Sequence, residues 1–267
     1  MNIKAVFCDV DGTLLNDQQE ILSSTKLAIQ NLQKNNIKFV LVSGRCPAGI
    51  YSVTQDSLDK CTVISHNGAI ILDENKKKLY EKGITHQKAS EIIKFIEENN
   101  FNVAWNLYSF DDWITPNRND PKIQHEEEML KTLSKEGQID SLPKDQIFHS
   151  IMLICNPDEI AEIRDKIALR FPDFTVVRSA NELIDIMVEG VNKATAVAHL
   201  CDLLDIDIND TMAFGDNYND CEMLQAVGRG IVMGNAPEDM KKRFAEVTLD
   251  NNHDGISFAL KKFKVIE

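Results

Sequence analysis

The 267-residue chain is short of positive charge and has no long hydrophobic run. Lys and Arg together number 29, against 42 Asp and Glu, which gives a formal net charge of −13. Nucleic-acid binding needs clustered Lys and Arg to contact phosphates, so we expect no nucleic-acid partner. No stretch approaches the roughly 18 apolar residues that a membrane-spanning helix requires, so we expect no membrane association either.

The cysteines lack the spacing of a metal site or a disulfide framework. They occur singly, without a CxxC pair and mostly within apolar segments, at positions 8, 46, 61, 155, 201 and 221. We interpret them as reduced, buried thiols, which is typical of a cytoplasmic protein, and we expect no zinc site. The first residues, MNIKAVFCDVDG, do not resemble a signal peptide, because acids interrupt the short apolar run at once.

Two common nucleotide-binding loops are also missing. The sequence contains neither GxxxxGK[ST], the loop of P-loop nucleotide-binding proteins, nor GxGxxG, the loop of dinucleotide-binding proteins. The chain does contain 43% hydrophobic and 27% charged residues, which is the composition of an ordinary globular protein with a sizeable core.

Mostly apolar runs alternate with helix-like segments at both ends of the chain. Residues 3–9, 37–43 and 61–65 have the composition of parallel strands that are covered on both sides. The same alternation returns from about residue 187. We therefore predict an α/β fold whose core, residues 1–82 and 187–267, is a doubly wound (Rossmann-like) parallel sheet.

Residues 83–186 show a different pattern. An amphipathic helix opens this stretch, with Ala89, Ile92, Ile93 and Ile96 spaced for one face. Strand-like pairs with hairpin-like neighbours follow, interspersed with further helices. This mixture predicts a separate α+β domain that is inserted into the core domain.

Acidic residues follow two of the predicted core strands. Asp9 and Asp11 come at the end of the first strand, and Asp216 and Asp220 follow the strand-like TMAFG. Ligands of an open parallel sheet bind beyond the carboxyl ends of its strands, and residues i and i+2 of an extended chain point the same way. We therefore expect Asp9, Asp11 and Asp216 to converge. A single DxD could equally be a cap of a turn or helix.

Converging carboxylates need a cation, because like charges raise one another's pKa. Oxygen-only ligands favour Mg²⁺ over zinc or copper. Gly12 and Gly44 follow strands and leave backbone N–H groups open to an anion, while Ser43 adds a hydroxyl and Lys193 a positive charge. These groups together predict a site for Mg²⁺ and a phosphoryl group.

The same residues carry a family resemblance. In order, the chain contains DVDGTLL at 9–15, SGR at 43–45, Lys193, GDNYNDCEML at 215–224 and the weaker VMGNA at 232–236. It resembles the haloacid-dehalogenase-like (HAD) hydrolase superfamily, in particular the Cof-type branch with a large α/β cap. The resemblance implies a phosphatase of small phosphorylated metabolites, with the insertion 83–186 as a cap that determines substrate specificity. Ala194 departs from the glycine that the family often has there.

The resemblance also implies a role for each motif residue. Asp9 would be the nucleophile that forms an aspartyl-phosphate, and Asp11 the general acid and base. Mg²⁺ would be held by Asp9, Asp216 and the backbone carbonyl of Asp11, with Asp220 in support of Lys193 or of a metal-bound water. The phosphoryl-binding residues would be Gly12, Ser43, Gly44, Lys193 and Asn219.

Several points stay open at the level of sequence. We expect a sugar phosphate as substrate and a monomer or small homo-oligomer. A phosphotransferase or phosphomutase would use the same aspartyl-phosphate, and a non-enzymatic phospho-acceptor module would need only Asp9. Arg45 is either part of the site or an ordinary surface or interdomain pair. Asn67-Gly68 fits the family but is also explained by a tight turn.

Overall fold

A computed structural model describes residues 2–54, 58, 60–130 and 132–267. The chain forms two compact units. The first comprises Met1–Glu81 and Val191–Glu267, and the second comprises Lys82–Gly190. The second boundary lies beyond residue 186, because a strand of the second unit continues to Val188. Within the described residues, no helix is long and apolar enough to cross a membrane.

The first unit contains a seven-stranded sheet. In spatial order its strands are β15 (Arg229–Val232), β14 (Thr211–Gly215), β1 (Ala5–Asp9), β2 (Lys38–Val42), β3 (Thr62–Ser65), β4 (Ile70–Leu72) and β5 (Lys78–Glu81). The helices of this unit are α1 (Ser23–Lys34), α2 (Pro47–Thr54), α6 (Lys193–Leu204), α7 (Cys221–Ala226), α8 (Glu238–Lys241) and α9 (Gly255–Lys262). The strands from β15 to β3 run parallel, which confirms the predicted α/β class.

The central strands are buried because side chains pack on both faces of the sheet. Val6 and Cys8 of β1 belong to one hydrophobic cluster, and Ala5 and Phe7 to another. This is the reason that β1 is almost continuously apolar rather than alternating in character. The sheet ends in an antiparallel pair, β4 and β5, which the sequence analysis did not predict.

The strand order creates a crevice at the carboxyl ends of β1 and β14. From β1 the chain adds β2 and β3 on one side, and it later adds β14 and β15 on the other. At such a reversal the connections leave in opposite directions, so the strand ends between them stay open to ligands. Residues that directly follow β1 and β14 therefore lie side by side.

In the part of the second unit that the structure describes, a six-stranded, mostly antiparallel sheet combines with three helices. The order of the sheet is β12 (Phe174–Arg178), β13 (Leu183–Val188), β11 (Ser150–Ile154), β7 (Ala104–Ser109), β8 (Asp112–Thr115) and β9 (Lys135–Glu136), and a small pair joins β10 (Ile147–Phe148) to β6 (Ile84–Thr85). The helices are α3 (His86–Glu98), α4 (Pro121–Leu130) and α5 (Ile160–Arg170). One face of the sheet packs against the apolar sides of α3 and α5.

Candidate functional site

Three carboxylates meet at the crevice between β1 and β14. Asp9 is the last residue of β1, Asp216 directly follows β14, and Asp220 lies four residues further on. One carboxylate oxygen from each lies within 4.8 Å of the others. The two strands are parallel neighbours, with Cys8 opposite Phe214, so the register itself brings Asp9 beside Asp216.

A tight turn over Val10–Leu14 connects the first motif to Asp216. Gly12 has a φ of +79°, and a Cβ atom at this position would lie 2.4 Å from Oδ2 of Asp216. Thr13 donates its hydroxyl to Oδ1 of Asp216 at 2.8 Å. Asn235 donates its amide to the carbonyl oxygen of Gly12 at 2.8 Å. Only glycine therefore fits at position 12, both for its backbone angle and for its contact with Asp216.

Lys193 lies between two of the carboxylates. It is the first residue of α6, which begins with a capping box formed by Asn192 and Thr195. Its side chain is 1% exposed, and Nζ donates to Oδ1 of Asp9 at 2.5 Å and to Oδ1 of Asp220 at 2.6 Å. Burial alone would lower the pKa of Lys193, but the adjacent carboxylates of Asp9 and Asp220 outweigh it and raise this pKa.

The single lysine does not balance the three acids. Burial and the charge of Asp220 raise the pKa of Asp9 despite the contact with Lys193. Burial likewise raises the pKa of Asp216 to about 6. The group offers only oxygen ligands and carries more negative than positive charge, so its donor set fits Mg²⁺ rather than a soft metal ion.

Asp220 uses both carboxylate oxygens in hydrogen bonds. Oδ1 accepts from Lys193, and Oδ2 accepts from the backbone N–H groups of Asp216 and Asn217, each at 3.0 Å. A Cβ atom on Gly215 would lie 2.5 Å from Cβ of Asp220. Asp220 thus fixes Lys193 and the loop that carries Asp216.

The side chain of Asp11 lies outside the group of three carboxylates, which corrects the expected convergence of Asp9, Asp11 and Asp216. The strand ends at Asp9, and the turn begins at Val10, so the alternation of an extended chain does not continue to Asp11. Asp11 is instead paired with Arg45, whose Nε lies 2.7 Å from Oδ2 and whose Nη2 lies 2.5 Å from Oδ1. The hydrogen bond to Asp11 raises the pKa of the Arg45 guanidinium.

The end of β2 contributes a second set of polar groups. Ser43 is buried, and its hydroxyl accepts from the backbone N–H of Arg45 at 3.1 Å. Gly44 lies against the side-chain amide of Asn67, which in turn accepts from Nδ2 of Asn219 at 3.3 Å. The three predicted phosphoryl-binding residues Ser43, Gly44 and Asn219 are thus connected through Arg45 and Asn67.

Three contacts in this region were missed or left open by the sequence analysis. Thr13 and Asn235 both donate to Asp216, and each lies inside one of the sequence motifs, at 9–15 and 232–236. The sequence is compatible with either a functional or a surface role for Arg45, and the structure pairs it with Asp11. The signal for Arg45 is its position three residues after the end of the core strand β2.

The family model for the haloacid dehalogenase-like hydrolases matches residues 6–260. The chain belongs to this family. The match spans both compact units, and it confirms the resemblance on which the sequence analysis relied.

Proteins and structures that are similar to this chain support its assignment to the hydrolase family. A protein of Haemophilus influenzae named "Putative phosphatase" is 32% identical, with 98% of each chain covered. Phosphatase YwpJ of Bacillus subtilis is 25% identical over 97% of this chain and 99% of its own. The crystal structure of a haloacid dehalogenase-like hydrolase from Bacteroides thetaiotaomicron matches with a TM-score of 0.85 at 25% identity, over 98% of this chain and 99% of that one.

Proposed function

We propose that this hydrolase is a Mg²⁺-dependent phosphatase that removes phosphate from small metabolites through an aspartyl-phosphate on Asp9. The observation that carries the proposal is the group of three carboxylates within 4.8 Å of one another, with the buried Lys193 between two of them. The names of the similar proteins, two of which are phosphatases by name, support the same class of reaction.

The residues that would hold Mg²⁺ are Asp9, Asp216 and the backbone carbonyl of Asp11. When bound, the metal ion would neutralise charge, so that an anionic phosphate can approach an anionic carboxylate. Thr13 and Asn235 would keep the carboxylate of Asp216 oriented, since both donate to it. Asp220 is better suited to support than to direct ligation, because it is fully buried and its carboxylate is held by Lys193 and by two backbone N–H groups, whereas Asp216 is only partly buried.

The chemistry of the chain's own residues then follows in two steps. A carboxylate oxygen of Asp9 attacks phosphorus, the bond from phosphorus to the leaving oxygen breaks, and Asp11 gives that oxygen its proton. In the second step Asp11 takes a proton from water as the water attacks phosphorus. The bond from phosphorus to Asp9 breaks, which returns Asp9 as a carboxylate and releases inorganic phosphate.

The phosphoryl oxygens would be bound by groups that carry or donate positive charge. Lys193 supplies an ammonium, Ser43 a hydroxyl, and Asn219 a side-chain amide. The backbone N–H groups of Gly12 and Gly44 complete the set. Preorganised donors of this kind stabilise the charge that develops on phosphoryl oxygens in the transition state.

We further propose a sugar phosphate as the substrate and the cytoplasm as the location. The substrate class is carried over from the family resemblance of the motifs, since Trp113 and Asn106 of the second unit are buried and hydrogen-bonded to each other as part of its core. All six cysteines are free, which fits a reducing compartment.

A turnover screen with sugar, nucleotide and amino-acid phosphates tests this proposal. We expect Mg²⁺-dependent release of phosphate, with the highest kcat/KM on a sugar phosphate. Asp9→Asn should lose at least about a thousandfold in kcat, because an amide cannot act as the nucleophile. Asp202→Asn, at an exposed position on α6, is the matched control and should keep full activity. Normal turnover by Asp9→Asn would refute the nucleophile assignment.

A further inference from the structure

The three residues that follow β3 have an unusual backbone. His66, Asn67 and Gly68 have φ values of +48°, +53° and +110° in succession. The left-handed region is costly for residues with a side chain, and such strain persists only where the surrounding structure holds it in place. The N–H of His66 donates to the carbonyl of Arg45 at 3.1 Å, and the N–H of Asn67 donates to the carbonyl of Ser43 at 3.0 Å.

The other end of this turn contacts the helix that carries Lys193. A Cβ atom on Gly68 would lie 2.4 Å from the carbonyl oxygen of Asn192, the N-cap residue of α6. The turn therefore connects the Ser43–Arg45 loop with the N-cap residue of α6. A simple reversal of the chain between β3 and β4 would not require contacts on both sides.

The side chain of Asn67 lies among the proposed phosphoryl-binding groups. A Cβ atom on Gly44 would lie 3.2 Å from both Oδ1 and Nδ2 of Asn67, so the amide lies directly over Gly44. Oδ1 accepts a hydrogen bond from Asn219 at 3.3 Å. Among the residues that the structure describes, Nδ2 has no acceptor, which leaves two N–H donors beside Gly44 and Asn219.

We propose that Asn67 is a phosphoryl-binding residue whose side-chain amide donates to an oxygen of the substrate's phosphate. This inference rests on the proposed function and adds a residue to its site. The left-handed backbone places the amide beside Gly44, and Asn219 fixes the amide by donating to its oxygen. Asn67 thereby contributes a donor from a third strand end, next to those that follow β2 and β14.

The alternative is that Asn67 serves the turn alone, since asparagine tolerates the left-handed conformation better than most residues. Asn67→Gly separates the two roles. Glycine adopts a positive φ without strain, so this variant keeps the turn and removes only the amide. Asn36→Gly is the matched control, because Asn36 is exposed, lies in the same unit and has a φ of +58°.

Binding of inorganic phosphate to the Mg²⁺-loaded protein, measured by calorimetry, gives a readout that does not depend on turnover. A hydrogen bond to a charged group predicts a roughly ten- to hundredfold weaker affinity for Asn67→Gly, with a melting temperature at least as high as that of the wild type. Asn67→Asp should bind phosphate more weakly still, because its carboxylate repels the anion. Asn36→Gly should bind like the wild type.

Each outcome decides one of the two proposals. A phosphate affinity of Asn67→Gly within twofold of the wild type would assign Asn67 to the turn and overturn the inference. A wild-type protein that binds no phosphate would also overturn it. A wild-type protein that binds phosphate but hydrolyses no ester would refute the proposed function, while the affinities of the Asn67 variants would still decide the role of this residue.

Discussion

Each of the two units contains a basic residue bound to acidic side chains, but the pair in the second unit is balanced in charge, whereas the group in the first carries excess negative charge. In the second unit, Arg118 makes a paired contact with Glu127, whose carboxylate also accepts from Ser134. These bonds, led by that of Arg118, lower the pKa of Glu127 to about 2. In the first unit, Lys193 is shared by Asp9 and Asp220, and the pKa of Asp9 is raised.

The difference teaches how to separate a structural ion pair from a site that needs a further ligand. Arg118 and Glu127 satisfy each other, and solvent reaches the pair from the side of Arg118, whose side chain is 37% exposed. The carboxylates beside Lys193 are buried and outnumber it, and buried charge without compensation is costly. Their excess negative charge is therefore the feature of this chain that indicates a cation-binding site.

The pair of Arg45 and Asp11 sharpens this comparison, because it has the geometry of Arg118 and Glu127 but lies in the proposed site. Arg45→Ala should lower kcat/KM for an alkyl phosphate about a hundredfold, because Arg45 holds Asp11 in place, and Asp11 can act as a general acid only when one of its two oxygens leaves this pair to carry the proton. The loss for p-nitrophenyl phosphate should be much smaller, since p-nitrophenolate leaves without a proton. Arg45→Lys should recover part of the loss.

Arg118→Ala is the matched control for this experiment. It removes an equivalent arginine–carboxylate pair from the second unit and should leave the ratio of the two kcat/KM values unchanged. Equal losses on both substrates in Arg45→Ala would show that Arg45 acts otherwise than through the proton supplied by Asp11.

Asp216 and Glu127 should also change the stability of the protein with pH in opposite directions, and this effect is smaller than the changes in kcat/KM. In metal-free protein, the pKa of Asp216 of about 6 lies above its ordinary value of about 3.9, so its contribution to stability should fall as the pH rises from 4 to 6. The loss amounts to about 2 kcal/mol and should be absent in Asp216→Asn, which keeps the oxygen that accepts from Thr13.

The pKa of Glu127 is lowered instead. The stability that the Glu127 carboxylate contributes is therefore present above the ordinary glutamate pKa of about 4.3 and is lost as the pH falls toward 2. Glu127→Gln should remove this loss on the acid side. Urea unfolding in the presence of a chelator, at a series of pH values, measures both slopes. Slopes of the same sign for Asp216 and Glu127 would contradict the charge balance described for the two units.

Features that depend on the order of the strands could be predicted from the sequence, whereas side-chain directions that depend on local turns could not. The α/β fold and the family are confirmed, because buried parallel strands and the motifs at their ends leave clear patterns. The proximity of Asp9 and Asp216 followed from the neighbouring ends of parallel strands. The roles assigned to these residues stay predictions.

Two features of the site could not be derived from periodicity. The turn at Val10 directs the side chain of Asp11 toward Arg45, and no repeat in the sequence encodes that change of direction. The contact of Asn67 with Gly44 depends on consecutive left-handed residues that main-chain hydrogen bonds from β2's end hold in place. Both features depend on backbone angles that are fixed only once the sheet has formed.

Calorimetric titration of chelator-treated protein with Mg²⁺ tests the central claim most directly. We predict one Mg²⁺ bound per chain by the wild type and by Glu127→Gln, and an affinity at least about tenfold weaker in Asp216→Asn, which loses a charged ligand. Wild-type protein that binds no Mg²⁺, or an Asp216→Asn variant that binds it equally well, would contradict the account.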